Sequence, residues 1–358
     1  MENNRILVIN PGSTSTKIAV YQNHNPLFLK CINHPIEELR KFKRFVDQYE
    51  FRKKIIMNEL NHAEIDLQSI SVIIGRGGLI KPIESGIYEV NEAMLKDLME
   101  GYLGEHASNL GGLIAYDLAE SLTNARALIA DPVVVDELQD VARIAGHPLF
   151  KRYSIFHALN QKAIAQNYAY SHDKRYEELN IIVAHLGGGI SVGAHCNGKV
   201  IDVNNALDGE GPFSPERSGT VPAGQLAKIC FSGEYNLDEI KQMIVGEGGL
   251  IAYLGTNDAY KIELRAKAGD KEAQLIQDAM SYQIGKSIGE MAAVLKGEVD
   301  AILLTGGIAN NRIVTDYIKT MVKFIAPVIV YPGDDEMKAL AQNALRVIKG
   351  EIECKEYK

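Results

Sequence analysis

Residues 5–21 read RILVINPGSTSTKIAVY, and residues 180–195 read NIIVAHLGGGISVGAH. Each stretch begins with a run of branched apolar residues, which is typical of a strand buried on both faces. A glycine-containing turn follows in each stretch, and a second apolar run comes directly after the turn. The two stretches therefore predict the same local structure twice in one chain: a strand, a tight turn and a second strand.

The residues that follow each stretch extend this repetition. A third strand is expected in each half, and helices and strands alternate after it. An amphipathic helix is predicted after Pro35, with Ile36, Leu39, Phe42, Val46 and Tyr49 on one stripe. The other predicted elements are strands over 27–32, 72–74, 127–130, 199–203, 301–304 and 328–331, and helices within 91–121, over 271–296, from Asn310 and over 335–349.

This order predicts an α/β protein in which a βββαβαβα pattern is duplicated. We expect two mixed domains, over residues 1–150 and 151–334, on either side of an interdomain cleft. A single large doubly wound sheet is the alternative. A dinucleotide-binding fold fits poorly, because both glycine turns lead into strands rather than helices.

Composition restricts the class of protein and its partners. Of the 358 residues, 46% are hydrophobic and 23% are charged, as in a soluble globular protein, and the net charge of −8 disfavours nucleic acid or an anionic membrane as a partner. No signal peptide and no apolar run of 18 residues is visible. The cysteines, Cys31, Cys196, Cys230 and Cys354, form no CxxC pair and have no zinc-binding spacing. Scattered thiols of this kind are typical of a reducing compartment, so a cytoplasmic protein is expected.

The first glycine turn, residues 10–17, has the composition of an anion site. Ser13, Ser15 and exposed backbone N–H groups can surround a phosphate, and Lys17 adds positive charge. Asn10, at the strand end, can face a phosphate oxygen or a metal-bound water. An ordinary hairpin remains the alternative, because glycine and serine are common in turns.

Two further turns have similar chemistry. Gly187, Gly188 and Gly189 allow backbone to approach a ligand closely, at an entropic cost that a simple turn need not bear. Residues 303–311, LLTGGIANN, follow a buried strand and open a helix, which places N–H donors at a positive helix end. The residues there that we expect to contact a nucleotide are Gly306, Gly307, Ala309 and Asn310. Read alone, a strand-to-helix turn with glycines for packing is equally consistent.

Together the three turns resemble the two phosphate motifs and the adenosine motif of the superfamily of sugar kinases, heat-shock ATPases and actin. Most members carry Asp at the end of the first strand of each repeat, whereas this chain has Asn10 and His185. In that respect it is similar to the acetate kinase family, along nearly its whole length. The resemblance implies two actin-like (ribonuclease H-like) domains, the first on the carboxylate side and completed by residues 335–358, and the second on the nucleotide side.

The resemblance also implies an activity. We expect an ATP-dependent kinase that phosphorylates the carboxylate of a short-chain acid by direct in-line transfer, reversibly, with Mg²⁺ and as a homodimer or larger assembly. Several segments look like the family's site. Arg76 resembles the carboxylate-binding arginine of the family, and His106 resembles a histidine near the same pocket. Asp131 is similar to the catalytic aspartate, His157 to a histidine beside the acyl group and the transferring phosphoryl group, and Arg217 to the second essential arginine. Glu336 resembles the carboxylate that helps to hold magnesium, with Asp335 a possible substitute, and Asp258 resembles a residue that contacts the ribose.

Each of these residues also has a structural alternative. The histidines could be ordinary structural residues, the arginines ion-pair partners, and Asp131 a turn former before Pro132. As a set they favour a mechanism in which Arg76 orients the acid, while Arg217 and His185 stabilise the phosphoryl group. Mg²⁺ would be held by Asn10 and Glu336. Whether Asp131 orients Arg217 or the acyl group stays open.

Two departures from the family pattern bear on the substrate. Gly188 replaces an asparagine, so one polar contact to phosphate is missing or replaced. Gly77 and Gly78 replace two valines. Loss of a valine side chain beside the acyl group would enlarge an apolar pocket with Phe156 and Leu79 as its walls. Each additional CH₂ group of the acid that is buried there would contribute about 0.8 kcal/mol to binding. We therefore expect butyrate or a branched acid rather than acetate. The alternatives are an acetate or propionate kinase, a sugar kinase, and an actin-like nucleotide-switched binding protein.

Overall fold

A computed structural model describes residues 4–333 and 335–358. The described chain divides into two compact units, residues 4–135 with 335–358, and residues 136–333. The second unit begins earlier than the predicted boundary at residue 150, because the connecting segment is bonded to that unit. Gln139 donates its backbone N–H to Ile201 O, and Glu137 pairs with Lys162 at 2.8 Å.

The strands are arranged in two sheets, one in each unit. The first sheet has the order β3-β2-β1-β4-β6-β5, and the second has the order β11-β10-β7-β8-β9. In both sheets the first three strands are antiparallel, and the next two run parallel to the first strand. The strands are β1 (Arg5–Pro11), β2 (Ser15–Gln22), β3 (Asn25–Asn33), β4 (Ile70–Arg76), β5 (Ile87–Glu89), β6 (Arg126–Ala130), β7 (Ile181–Leu186), β8 (Ile190–Cys196), β9 (Lys199–Val203), β10 (Ala301–Gly306) and β11 (Val328–Pro332).

Helices cover the sheets and connect the parallel strands. They are α1 (Ile36–Leu39), α2 (Tyr49–His62), α3 (Glu92–Glu100), α4 (Asn109–Glu120), α5 (Ala158–Ser171), α6 (Ala223–Cys230), α7 (Leu237–Ile244), α8 (Leu250–Leu254), α9 (Ala259–Lys267), α10 (Lys271–Val294), α11 (Arg312–Val322) and α12 (Glu336–Ile348). Short 3₁₀ segments cover Val46–Gln48, Leu67–Ser69, Asp140–Arg143, Tyr176–Glu178 and Gly307–Asn310. Among the described helices, none combines the length and the apolar character needed to cross a membrane.

The duplicated α/β fold predicted from the sequence is confirmed by the strand order. Apart from the edge strand β5, the first sheet has the same arrangement as the second, with β1 in the place of β7 and β4 in the place of β10. The last helices of the two repeats, however, belong to the opposite unit. Helix α5, which follows β6, packs on β7 and β10, whereas α12, which follows β11, packs on β1, β2, β4 and β6.

The amphipathic helix predicted after Pro35 is wrong in its extent. Helix α1 ends at Leu39, and α2 begins only at Tyr49. Between them, side-chain oxygens take the place of helical carbonyl acceptors: Arg44 N–H donates to Asp47 at 3.0 Å, and Phe45 N–H donates to Glu105 at 3.3 Å. Such local side-chain acceptors compete with the helix for backbone donors, so the apolar spacing alone does not produce one continuous helix.

Candidate active site

Three predicted site residues lie at one edge of the first sheet. Asn10 is near the end of β1, Arg76 is the last residue of β4, and Asp131 directly follows β6. These three strands are parallel neighbours, and Arg76 pairs in register with Ala130. The carboxyl ends of parallel strands in α/β proteins are where ligands bind, so the topology alone brings these side chains to the usual place for a site.

Asn10, Arg76 and Glu336 form a polar cluster within the first unit. Asn10 Nδ2 donates to Glu336 Oε2 at 2.8 Å, and Arg76 Nη1 lies 3.3 Å from the same oxygen and 3.5 Å from Asn10 Oδ1. Glu336, the first residue of α12, is buried, whereas Asp335 is exposed and caps that helix by accepting from Lys338 N–H at 3.2 Å. Of the two acidic residues, Glu336 is therefore the one that lies in the cluster.

Asp131 sits on a strained backbone. Its φ of 39° is in the left-handed region, which costs about 1–3 kcal/mol for a residue other than glycine. Its Oδ1 accepts from Ser85 Oγ at 2.6 Å and from Gly86 N–H at 2.9 Å. Strain of this kind persists where the surroundings hold it, and here the carboxylate ties the end of β6 to the Ser85–Gly86 segment. Both roles left open for Asp131 remain predictions.

His106 is oriented by the residues that lead into α4. Its Nδ1 accepts the backbone N–H of Ser108 at 3.2 Å and lies 2.9 Å from Ser108 Oγ. Because a backbone N–H can only donate, Nδ1 is unprotonated, and the hydrogen of a neutral ring is on Nε2. His106 also contacts the Phe45 ring, with the centroids 6.3 Å apart.

Gly77 and Gly78 do not face empty space. A β-carbon on Gly78 would overlap Asn109, lying 2.6 Å from its Cα, and one on Gly77 would lie 2.5 Å from Pro132 Cβ. Asn109 in turn accepts the N–H of Leu79 at 2.8 Å. The glycines therefore let the turn after β4 pack against Pro132 and against the start of α4, which is a different role from the enlarged acyl pocket expected from the sequence.

The first glycine turn is held from behind by Arg52, a residue that was not predicted from the sequence. Arg52 is fully buried and donates to the carbonyls of Gly12, Ser13 and Ser15 at 2.7, 3.0 and 3.1 Å. Burial lowers the pKa of Arg52 to about 10. The spacing in the sequence could have indicated this burial. Arg52 precedes the buried Ile56 by four residues, so the two side chains lie on the same face of α2.

The remaining residues of this turn are open to ligands. Gly12 N–H donates to Ser15 O at 2.7 Å, which closes the turn. Ser13 is exposed and Ser15 partly so. Lys17 is exposed and pairs in register with Asn10 on the neighbouring strand. Serine hydroxyls, a lysine and a buried guanidinium behind the turn make a positive environment for an anion.

In the second unit, Arg217 lies against the second glycine turn. A β-carbon on Gly189 would overlap Nη1 of Arg217 and lie 2.7 Å from Cζ. Arg217 Nη1 also donates to Ala206 O. Gly188 O accepts from Ser214 Oγ at 2.6 Å, so the turn is bonded to the segment that carries Arg217. The absence of a side chain at Gly189 is thus needed for the guanidinium to reach the turn.

His185 and His157 stack on each other beside this turn. Their ring centroids are 3.8 Å apart and the planes differ by 11°. His185 Nδ1 lies 2.8 Å from Asn160 Oδ1, and His157 Nδ1 lies 2.9 Å from Ser191 Oγ. A β-carbon on Gly187 would lie 2.8 Å from His185 Nε2, so this ring edge is next to the turn. The structure brings together His157, His185, Arg217 and the three glycines.

The third turn differs in detail from the expectation. Gly306 has a φ of 94°, and a β-carbon on it would lie 2.7 Å from Leu186 C. A β-carbon on Gly307, by contrast, would meet open space. The first N–H groups of α11 are capped by Asn311, which accepts from Ile313 N–H at 2.9 Å. The N–H groups of Ile313 and Val314 are therefore already satisfied. Ala309 is buried, while Asn310 is exposed and donates to Gly307 O at 3.0 Å.

Two other predicted residues have evident structural roles. Asp258 is the N-cap of α9 and accepts from the N–H groups of Tyr260 and Lys261, both at 3.1 Å. Phe156 is 2% exposed and belongs to the core of the second unit. A ribose contact by Asp258 and an acyl contact by Phe156 remain predictions.

Comparison with known proteins identifies the family. Residues 141–342 match the model of the acetokinase family. Butyrate kinase 2 of Clostridium acetobutylicum is 56% identical over 354 residues, which cover 99% of each chain. The chain belongs to the acetokinase family. The fold agrees: acetate kinase of Porphyromonas gingivalis superposes with a TM-score of 0.77 at 19% identity (96% of this chain, 100% of the other), and a propionate kinase of Francisella tularensis with a TM-score of 0.77 at 20% identity (95% and 98%).

Membership of the acetokinase family fixes the reaction class. The chain is a phosphotransferase with a carboxyl group as acceptor, and it uses ATP and ADP. Its two actin-like domains are confirmed by the solved kinases of the same fold.

Gly189→Ala is expected to lower kcat of this acetokinase-family enzyme by about tenfold or more, because the new methyl group takes the place of the Arg217 guanidinium. Steady-state kinetics with saturating ATP would measure the change. Gly289→Ala is the matched control, since no atom lies within 4 Å of a β-carbon there. Equal activity in both variants would contradict the placement of Arg217.

Gly78→Ala is expected to destabilise the protein by about 3 kcal/mol without changing its preference among acids, because the methyl group overlaps α4 rather than an acyl pocket. Urea unfolding would measure the stability, and kcat/KM ratios would measure the preference. Gly146→Ala, where the β-carbon meets no atom within 4 Å, is the control. A stable variant with a shift towards acetate would restore the pocket explanation.

Arg52→Met is expected to reduce stability by about 3 kcal/mol and to raise KM for ATP, because three carbonyls of the first turn lose a charged donor. Unfolding curves and ATP-dependent kinetics would test both. Arg126→Met removes an exposed arginine paired with Glu89 and should change stability by less than about 1 kcal/mol. If the two variants behaved alike, Arg52 would not support the turn.

Proposed function

We propose that the chain is a butyrate kinase, which converts butyrate and ATP to butyryl phosphate and ADP, reversibly. The observation that carries this proposal is the donor chemistry around the second turn, where Arg217 and the stacked pair of His157 and His185 surround three glycines. Such a set of donors suits transfer to a nucleophile that is already anionic. The choice of butyrate rests on the name of the highly identical relative.

The reaction is a single displacement at phosphorus. A carboxylate oxygen forms a bond to the γ-phosphorus while the bond to the bridging oxygen of ADP breaks, and that oxygen keeps the electron pair. No general base is needed, because the nucleophile carries no proton. The barrier comes from bringing two anions together and from charge on the equatorial phosphoryl oxygens, and positioned cations lower it.

The arginines have separate roles in this scheme. Arg76, at the carboxyl end of β4, binds the acid carboxylate as a planar, two-pronged donor. Arg217 and His185 donate to the phosphoryl oxygens as their charge develops. The backbone of Gly187–189, with Gly306 and Gly307, contacts the nucleotide, and Ser13, Ser15 and Lys17 contact its phosphates.

Asn10 and Glu336 fit the needs of Mg²⁺. Both present oxygen donors, and Mg²⁺ in phosphotransferases is usually bound through one or two carboxylates, water and the phosphates themselves. No group of three or more acidic, cysteine or histidine side chains suited to a metal occurs among residues 4–333 and 335–358. A site with few protein ligands matches that pattern. When bound, the ion neutralises charge on the phosphate oxygens.

Trapping of acyl phosphate with hydroxylamine would test the proposed function. Purified enzyme is incubated with ATP, Mg²⁺ and each acid from acetate to hexanoate, including isobutyrate. We expect a hydroxamate signal that is largest with butyrate. A maximum at acetate, propionate or isobutyrate would keep the carboxylate kinase and replace the substrate. ATP hydrolysis that ignores every acid would instead support a nucleotide-switched binding protein.

A further inference from the structure

A buried hydrogen-bonded chain runs from Tyr176 to His157 in the second unit. Its members are Tyr176, His195, Gln161, Ser191 and His157, which come from the start of α5, from β8 and from a 3₁₀ segment. Gln161, Ser191 and His195 are fully buried. Of these five hydrogen-bonded residues, His157 is the one to which a role in the reaction was assigned.

The amide of Gln161 has one possible orientation. Its Nε2 lies 3.1 Å from the backbone carbonyl of Ser191 and 2.8 Å from Ser191 Oγ. A carbonyl oxygen can only accept, so the atom facing it must be the NH₂ group. The Oε1 of Gln161 then faces His195 Nε2 at 3.0 Å and must accept from it.

The imidazole of His195 is consequently fixed as well. Its Nε2 carries the hydrogen that Gln161 accepts, and its Nδ1 accepts from Tyr176 OH at 2.7 Å. Burial lowers the pKa of His195 to about 3, so the ring is neutral and has a single hydrogen. The hydrogen bonds between Tyr176 and Ser191 therefore all run in one direction, with each residue donating to the next one towards Ser191.

The hydroxyl of Ser191 has its acceptor capacity filled. It receives one hydrogen from Gln161 Nε2 and one from the backbone N–H of His157, at 2.8 and 3.4 Å. A hydroxyl oxygen has two lone pairs and one hydrogen. The remaining contact, to His157 Nδ1 at 2.9 Å, must use the hydroxyl hydrogen as donor.

From this geometry we infer that Gln161 and Ser191 are positioning residues that keep His157 as the neutral tautomer with its hydrogen on Nε2. The role in catalysis rests on the proposed function: a donor, not a lone pair, is what an anionic acyl or phosphoryl oxygen requires. Because the His157 and His185 rings are stacked, a neutral His157 also leaves the pair with at most one positive charge.

A glycine in β8 leaves space for the side-chain amide of Gln161. Gly193 in β8 lies beside the amide, and a β-carbon there would come within 2.6 Å of Gln161 Oε1. Any larger residue would push the amide away from His195 and Ser191. The glycine at position 193 thus leaves room in β8 for the amide of Gln161.

Nitrogen NMR of the full chain, labelled at its nine histidines, tests the inference without any substrate. Long-range proton–nitrogen spectra distinguish a protonated from an unprotonated ring nitrogen, and loss of a signal in His157→Asn assigns the residue. We expect His157 near neutral pH to show an unprotonated Nδ1 and a protonated Nε2. The opposite tautomer, or a ring protonated on both nitrogens, would overturn the inference whether or not the enzyme phosphorylates butyrate.

Variants test whether Gln161 and Ser191 cause the preference. In Ser191→Ala and in Gln161→Met we expect the His157 spectrum to shift towards a mixture of tautomers, and kcat to fall by about tenfold with little change in KM for ATP. Ser281→Ala removes a buried hydroxyl that donates to the backbone carbonyl of Gln277 at 2.9 Å, and it should change neither. An unaltered His157 spectrum in both test variants would refute the role of the two residues.

Discussion

Replacing Arg217 with alanine is expected to lower kcat by about 10³-fold or more, with KM for ATP changed far less. Arg217 lies on the Gly187–Gly189 turn and is held there by Ala206 O. Its charge is therefore pre-positioned for oxygens that become more negative during transfer, and such an interaction contributes to the transition state rather than to binding. Steady-state kinetics in the direction of acyl phosphate synthesis would measure both constants.

Two further variants sharpen the test of Arg217. Arg217→Lys keeps the charge but loses the planar fork, so we expect partial activity, well below that of the natural enzyme. Arg265→Ala is the matched control, since Arg265 also donates to a backbone carbonyl, that of Leu254 at 3.2 Å. A loss of less than tenfold in Arg217→Ala would remove this residue from the mechanism.

Arg76→Ala should raise KM for butyrate by about 100-fold and lower kcat/KM by about 10³-fold. A guanidinium binds a carboxylate through two parallel hydrogen bonds, and its loss also leaves Glu336 without the cation 3.3 Å away. Without the positive charge of Arg76, the carboxylate of the acid has less attraction to the site and is closer to the unscreened charge of Glu336, so the acid should bind poorly. Initial rates over a range of butyrate concentrations would give both constants.

The control for Arg76 is at the opposite end of the same sheet. Arg5 begins β1 and donates to Ser69 Oγ at 2.8 Å, so Arg5→Ala should leave KM for butyrate unchanged. Should Arg76→Ala raise KM for ATP and not KM for butyrate, the arginine would belong to the nucleotide site. Comparison of the two constants thus separates the two assignments.

Much of the fold was predictable because buried strands and glycine turns have strong sequence signals. The runs at 5–9 and 181–186 are almost wholly apolar, and the structure places a buried strand at each. The strand predicted over 72–74 is also present, and it extends to Arg76 in the structure. The placement of α12 in the first unit was expected from the family resemblance and not from periodicity, because it is decided by packing between distant segments.

The errors have equally specific causes. The stripe from Ile36 to Tyr49 satisfies helical spacing, yet Asp47 and Glu105 capture the backbone donors in its middle. The pair Gly77 and Gly78 was interpreted as missing side-chain volume, whereas Pro132 fills that volume at Gly77 and Asn109 fills it at Gly78. Contacts between residues far apart in sequence decide both cases. For the same reason the support of the first turn by Arg52 became evident only in the structure.

The stereochemical course at phosphorus tests the central claim of direct transfer most directly. ATP made chiral at the γ-phosphorus with oxygen isotopes would be turned over with butyrate, and the configuration of the phosphoryl group in butyryl phosphate determined. One in-line displacement inverts the configuration, and that is the result we predict. Retention would mean two displacements through a phosphorylated residue, with His157 or His185 the first to examine, and would contradict the direct mechanism.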